Sequence, residues 1–291
     1  MSDSEILQQL ITPRSPAERG GVGFDRLPIS VHVLTWNSGA TLEKTLNSVR
    51  ECEEVLVIDG GSTDNTLEIA KRFGATIVQQ RSTQDQGKPL TDFSVARNAG
   101  LEHATKPWIL SMDSDEYASP VLLEEIHAII EKGEPCACKI PRRYVLPDGF
   151  VVTHATTYPN ERLYFFNRDA VTRWIKPVHE RPELKPGTKI IRLRGASLAP
   201  LGTIEEYRRK NLQYLEIERE KSRGKGWGHW LKYRVWHTFK SRAIALVKLL
   251  WIWLLPHRGV RLPLRHELLR FWYGWKLVVT TMPTKRNETI G

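Results

Sequence analysis

Trp108-Ile-Leu-Ser-Met-Asp-Ser-Asp-Glu116 is a short apolar run that ends abruptly in acidic residues. A run of this length bounded by turn signals reads as a buried strand. Polar groups at the carboxyl end of a strand lie where open α/β sheets bind ligands. Asp113 and Asp115, two apart at an open strand end, suit a hard divalent cation. The competing reading is a helix cap, because Ser-Asp-Glu ahead of Val121-Leu122-Leu123 would satisfy orphan helix N–H groups. Glu116 is assigned to that cap.

Upstream, apolar runs alternate with amphipathic stretches. Residues 29–35 read as a strand, 41–49 as a helix and 54–58 as a second strand, followed by a turn at Asp59-Gly60-Gly61-Ser62. Asp64 is expected to cap a helix that Gly74 ends, with a third strand at 75–78 and a helix over 93–104. Strands interleaved with helices predict an α/β fold, with a mixed, mostly parallel, Rossmann-like sheet covered on both faces. Thr35 and Asn37 follow the first strand, Asp59 the second, and Asp113 and Asp115 the fourth. Three polar strand ends in succession mark a site.

Downstream, residues 136–198 are less regular and read as strands and loops that complete the same domain. The expected organisation is a flexible arm over 1–27, a catalytic domain over 28–200 and a helical extension over 201–291. Charge separates the last two. Residues 1–200 hold 24 Lys+Arg against 26 Asp+Glu, whereas 201–291 hold 19 against 7. A basic tail of that size calls for an anionic partner. The three cysteines, Cys52, Cys136 and Cys138, do not make a disulfide framework and are read as small buried apolar residues in a reducing compartment. The first residues lack a basic stretch followed by an apolar run, so no secretory signal is expected.

Four separated segments, Ile29-Ser-Val-His-Val-Leu-Thr-Trp-Asn37, Val57-Ile-Asp-Gly-Gly-Ser-Thr-Asp-Asn-Thr66, Ala96-Arg-Asn-Ala-Gly100 and Trp108 to Glu116, together resemble family 2 glycosyltransferases, in order and at similar intervals. Lys139 to Tyr144, Tyr158-Pro159 and Val178-His-Glu180 are similar to the bacterial lipopolysaccharide core glucosyltransferases within that family. The resemblance covers about residues 29–220. It implies a glycosyltransferase A fold, an inverting mechanism, a nucleotide-sugar donor of UDP type and a Mg²⁺ or Mn²⁺ ion. Thr35, Asn37 and Asp59 would line the nucleotide pocket and Arg97 would approach the base, ribose or diphosphate. Asp113 would face ribose and metal, with Asp115 as principal metal ligand. Two departures stand out. Gly60-Gly61 replaces the acidic or serine residue of many relatives, and Tyr164 stands where an arginine is usual.

Inversion needs one general base for the acceptor hydroxyl. Glu180 is the expected base, with Asp148 as runner-up and His179 as a diphosphate or metal contact. Arg142 and Arg143 are assigned to an anionic acceptor. A polyprenyl-phosphate acceptor would use much the same donor site.

Seven of the ten tryptophans lie between Trp227 and Trp275. The thirteen residues from Ala243 to Leu255 are apolar except for Lys248. As a helix they span roughly 20 Å against a hydrocarbon core of about 30 Å, too short to cross a bilayer comfortably. Aromatics mixed with Lys and Arg are what an interfacial helix uses, and residues 225–282 are expected to meet an anionic membrane surface, so the expected location is cytoplasmic, peripheral on the inner face of the cell membrane. Packing of the same aromatics into a helical subdomain is the other reading, and both can hold. A non-enzymatic nucleic-acid or glycan binder on a transferase fold is the alternative class. The chain carries no helix-turn-helix or zinc-finger signature, and no nucleic acid partner is expected.

Overall fold

Leu27–Thr35 (β1) is buried on both faces along almost its whole length, as a central strand of a parallel sheet requires. The computed structural model describes residues 26–80, 92–177, 180–256 and 258–283. Cys52–Asp59 (β2) and Trp108–Asp113 (β4) flank β1 in parallel, and Thr76–Gln79 (β3) extends the β2 side, so the chain reverses its direction of sheet growth at β1 and β4. Tyr117–Ala118 (β5), Cys136–Val145 (β6), Glu161–Asn167 (β7), Lys189–Arg192 (β10) and Ser197–Pro200 (β11) continue the sheet with both parallel and antiparallel pairs. Val171–Ile175 (β8) and Arg181–Leu184 (β9) form a separate antiparallel pair. The expected mixed, mostly parallel sheet is present.

Helices Leu42–Ser48 (α1), Thr66–Arg72 (α2), Phe93–His103 (α3) and Pro120–Lys132 (α4) turn their apolar residues to the sheet. In α4 these are Leu122, Ile126, Ile129 and Ile130, and Gly133 closes the helix in the left-handed region at φ 67°. Helix α3 packs closely on β2 at Gly100, where a Cβ would lie 2.4 Å from Ile58 Cδ1 and would force that side chain to shift. Asp64 accepts the Thr66 N–H at 3.0 Å, one residue ahead of the helix boundary at Asn65. All three cysteines are free and buried, as expected.

The described chain forms two compact units. The first holds residues up to 145 together with 159–200, and carries the sheet; the second holds 146–158 with the segment from 201 onward. In the second unit, Ile204–Ser222 (α5) opens with a Thr203–Glu206 capping box. His237–Leu254 (α6) and Leu264–Thr280 (α7) follow, and α6 is preceded by a π-helical stretch over Leu231–Trp236. Glu267, almost wholly buried on α7, accepts the Thr156 N–H at 2.7 Å and the Thr156 hydroxyl, and Lys248 Nζ donates to Tyr158 O at 3.0 Å. These bonds tie 146–158 to the helices. Only Ala245, Leu249 and Ile252 of α6 are buried, while Phe239, Val247, Leu250, Trp251 and Leu254 are exposed. No described helix is long and apolar enough to cross a membrane.

Candidate active site

Parallel register sets Thr35 opposite Asp59 and Leu34 opposite Asp113, so the polar strand ends expected to form a site share the carboxyl end of the parallel strands. Thr35 Oγ1 donates to Asp59 Oδ1 at 2.9 Å. The same carboxylate accepts the Gly61 and Ser62 N–H groups, both at 2.8 Å, and the Ser62 hydroxyl at 2.5 Å. Asp59 is thus engaged in shaping the loop after β2, and the Gly60-Gly61 departure has a local reason: Gly61 adopts φ 92°, which L side chains rarely adopt. Asn37, itself at φ 49°, accepts the Thr63 N–H through Oδ1 at 2.8 Å, while its own N–H donates to Ser62 Oγ. The Ser38 and Ser114 hydroxyls bond at 2.7 Å, joining the loop after β1 to the acidic cluster.

Arg97, on α3, is the centre of the site and has no exposed surface. Its Nη1 donates to Ser111 Oγ at 3.0 Å and Met112 O at 3.4 Å. Its Nη2 donates to Asp113 Oδ1 at 2.8 Å, Tyr164 OH at 3.2 Å and Glu180 Oε1 at 3.3 Å. Glu180 Oε1 also accepts the Tyr164 hydroxyl at 3.2 Å. Burial pushes that hydroxyl up to about 12, which keeps it protonated and donating. One buried guanidinium therefore brings together the expected base and the expected donor-site aspartate, which are far apart in sequence.

Asp113 Oδ2 accepts Arg162 Nη1 at 2.6 Å. Burial alone would raise the Asp113 carboxyl, but Arg97 and Arg162 outweigh it and hold the group well below the usual carboxylate range. Glu116 corrects the sequence reading. Ser119 caps α4, accepting the Leu122 N–H, whereas Glu116 is buried and bonded to Arg142 Nε and, at 2.5 Å, to Ser197 Oγ. Burial, together with the nearby charge of Asp113, raises the Glu116 carboxyl. Arg142 is a partner of the acidic cluster, and the neighbouring Arg143 occupies the next position along β6.

Asp113, Asp115 and Glu116 each offer an oxygen within 4.8 Å of the others. Three guanidiniums, Arg97, Arg142 and Arg162, face four carboxylates, counting Glu180. Asp115 is exposed and is the one without a partner among the described residues. Hard oxygen donors with one free carboxylate fit a divalent cation of the kind that completes its shell with water and phosphate oxygens. A paired carboxylate oxygen such as Asp113 Oδ2 keeps a spare lone pair.

Asp148 lies in the second unit, where its carboxylate accepts the Phe150 N–H at 3.1 Å. His179 falls outside the described residues. Sequence reasoning missed Arg162, Ser111 and Ser197. The available signal for Arg162 was period two: Arg162 and Tyr164 share one face of β7, so the cation sought at position 164 is supplied two residues earlier, on the same side of the sheet.

The model of the family described as "Glycosyl transferase family 2" matches residues 30–181. An uncharacterized glycosyltransferase of Rickettsia prowazekii is 32% identical over 35% of this chain and 32% of its own length. The lipopolysaccharide core biosynthesis glycosyltransferase LpsC of Rhizobium meliloti is 25% identical over 47% and 51%. The chain thus spans a third to a half of the length of these curated relatives. Among solved structures, S. aureus TarS in complex with UDP-GlcNAc aligns over 87% of this chain and 89% of that one, with a TM-score of 0.46 and 17% identity. Glucosyl-3-phosphoglycerate synthase from Mycobacterium tuberculosis, in complex with Mn²⁺, UDP and glucosyl-3-phosphoglycerate, aligns over 41% and 44% with a TM-score of 0.32 and 25% identity.

Proposed function

Because the chain belongs to glycosyl transferase family 2 and has the glycosyltransferase A fold, we propose that it transfers a hexose with inversion from a UDP-sugar to a saccharide acceptor of the lipopolysaccharide or cell-envelope type. The observation that carries this reading is the convergence of Asp113 and Glu180 on buried Arg97, with Asp115 able to share a cation with Asp113. The likeness to LpsC supports the acceptor class.

Glu180 Oε1 is fixed by Arg97 and Tyr164, and Oε2 has no partner among the described residues. That free oxygen takes the acceptor hydroxyl proton as the hydroxyl oxygen bonds to the anomeric carbon. The bond from that carbon to the diphosphate breaks on the opposite face, and UDP leaves with the electron pair. Asp115, with Asp113, would hold Mg²⁺ or Mn²⁺, which supplies positive charge to the departing diphosphate. Asn37, Thr35 and Asp59 shape the loops that receive the nucleotide.

The basic, aromatic second unit supports a peripheral position on an anionic membrane, on its inner face. Exposed apolar residues of α6 beside Lys240 and Arg258 match an interfacial helix. Salt-reversible sedimentation with anionic liposomes tests this, and indifference to liposomes removes it.

The central test is a donor screen by thermal shift with and without Mn²⁺, followed by product analysis. A UDP-sugar should raise the melting temperature only with the cation, because a ligand that binds the native state alone stabilises it. No stabilisation by any nucleotide sugar would overturn the proposal.

A further inference from the structure

Asp113 is gripped by two arginines of very different freedom. Arg97 has no exposed surface and every one of its guanidinium nitrogens is bonded to Ser111, Met112, Asp113, Tyr164 or Glu180. Arg162 is a third exposed and, among the described residues, makes all its hydrogen bonds through one nitrogen. Its Nη1 meets Asp113 Oδ2 at 2.6 Å, Tyr164 OH at 3.3 Å and Glu116 Oε1 at 3.7 Å. Nε and Nη2 have no partner among the described residues.

That Nη1 is a positive charge set between Asp113 and Glu116, two of the three carboxylates able to share a cation. The cluster does not depend on it. Without Arg162, Asp113 still holds Arg97, and Glu116 still holds Arg142 and Ser197. Arg162 is also anchored on a strand, β7, so its long side chain moves while its base stays in place. Its unused Nε and Nη2 form the edge of a planar fork that fits phosphate oxygens two at a time.

We propose, on the donor-site reading above, that Arg162 is a diphosphate-binding residue held in reserve. In the unloaded site it neutralises Asp113 and Glu116. On loading it releases the Asp113 oxygen and turns its free edge to the β-phosphate of the donor. Arg162 and a divalent cation carry like charge and compete for the same carboxylate, so the residue weakens cation binding to the empty site and strengthens binding of the cation together with diphosphate.

The test uses the full chain, with Mn²⁺ binding read from the free-ion electron paramagnetic resonance signal in the absence of nucleotide. Calorimetric titration with UDP and with UMP at saturating Mn²⁺ completes it. Arg162→Gln should bind Mn²⁺ alone several-fold more tightly and UDP roughly tenfold more weakly, with UMP little changed, a tenfold loss being about 1.4 kcal/mol. Arg162→Lys keeps the charge without the fork and should fall between. Mn²⁺ affinity that is unchanged or lower in Arg162→Gln, or equal losses for UDP and UMP, would overturn the proposal. A wild-type protein that binds neither Mn²⁺ nor UDP would instead overturn the donor-site reading on which it rests.

Discussion

Arg97 Nη2 lies 2.8 Å from Asp113 Oδ1, and the arginine side chain is wholly buried while the aspartate is partly open to solvent. A buried guanidinium is tolerable only while its carboxylates remain. Replacing one partner of such a pair leaves an uncompensated charge, so Arg97→Met should destabilise the protein by roughly 3–5 kcal/mol in urea unfolding. A loss below about 1 kcal/mol, the range of an exposed pair, would mean that Arg97 is not the keystone of the site.

Asp115 presents the opposite case. It is exposed and unpaired among the described residues, so Asp115→Asn should change stability by no more than about 0.5 kcal/mol. Cation-dependent donor binding should nevertheless disappear. Retention of Mn²⁺-dependent UDP binding in this variant would transfer the ligand role elsewhere.

Glu180→Gln keeps the shape of the side chain and can still accept bonds from Arg97 and Tyr164, but it cannot take a proton. Turnover should fall by about 10²–10⁴-fold with nucleotide-sugar affinity nearly intact. Normal turnover would return the base assignment to open candidates such as Asp148.

His32, on β1, is completely buried and neither ring nitrogen has a partner among the described residues. Burial, with Arg97 and Arg168 nearby, pushes its imidazole from an ordinary 6.5 down to about 3. The folded state therefore resists a proton that the unfolded chain accepts below pH 6.5. Its stabilising contribution is complete above that pH and is lost as the pH falls toward 3, which amounts to about 2 kcal/mol at pH 5. Urea midpoints at pH 7 and pH 5 measure it, and His32→Leu should lose that part of the acid sensitivity. An unchanged difference between the two pH values in His32→Leu would refute the assignment.

Glu267 holds the Thr156 N–H and hydroxyl in the second unit, and Arg270 donates to the same hydroxyl. Glu267→Ala leaves the Thr156 N–H unmatched and takes the acceptor from its hydroxyl proton, and should cost roughly 3 kcal/mol. Hydrogen exchange gives the local reading: protection of the Thr156 amide should collapse, whereas slow exchange there would show that the bond is dispensable.

The apolar runs at residues 29–35, 54–58 and 108–112, each bounded by a turn, determined the strands and, with the helices between them, their parallel direction, because burial on both faces demands unbroken hydrophobicity that local sequence displays. Parallel direction is enough to set Thr35, Asp59 and Asp113 at one end of the sheet, since parallel strands share a carboxyl end. Only the tertiary structure decided the charge pairing. Arg97, Arg142, Arg162 and Glu180 come from four separate segments, and a side chain's partners across a sheet leave no periodic trace along the chain. Glu116 shows the limit most clearly. Its place before a helix is also that of a cap, and it took the packing of Arg142 and Ser197 against it to make it a buried member of the acidic cluster beside Asp113 and Asp115.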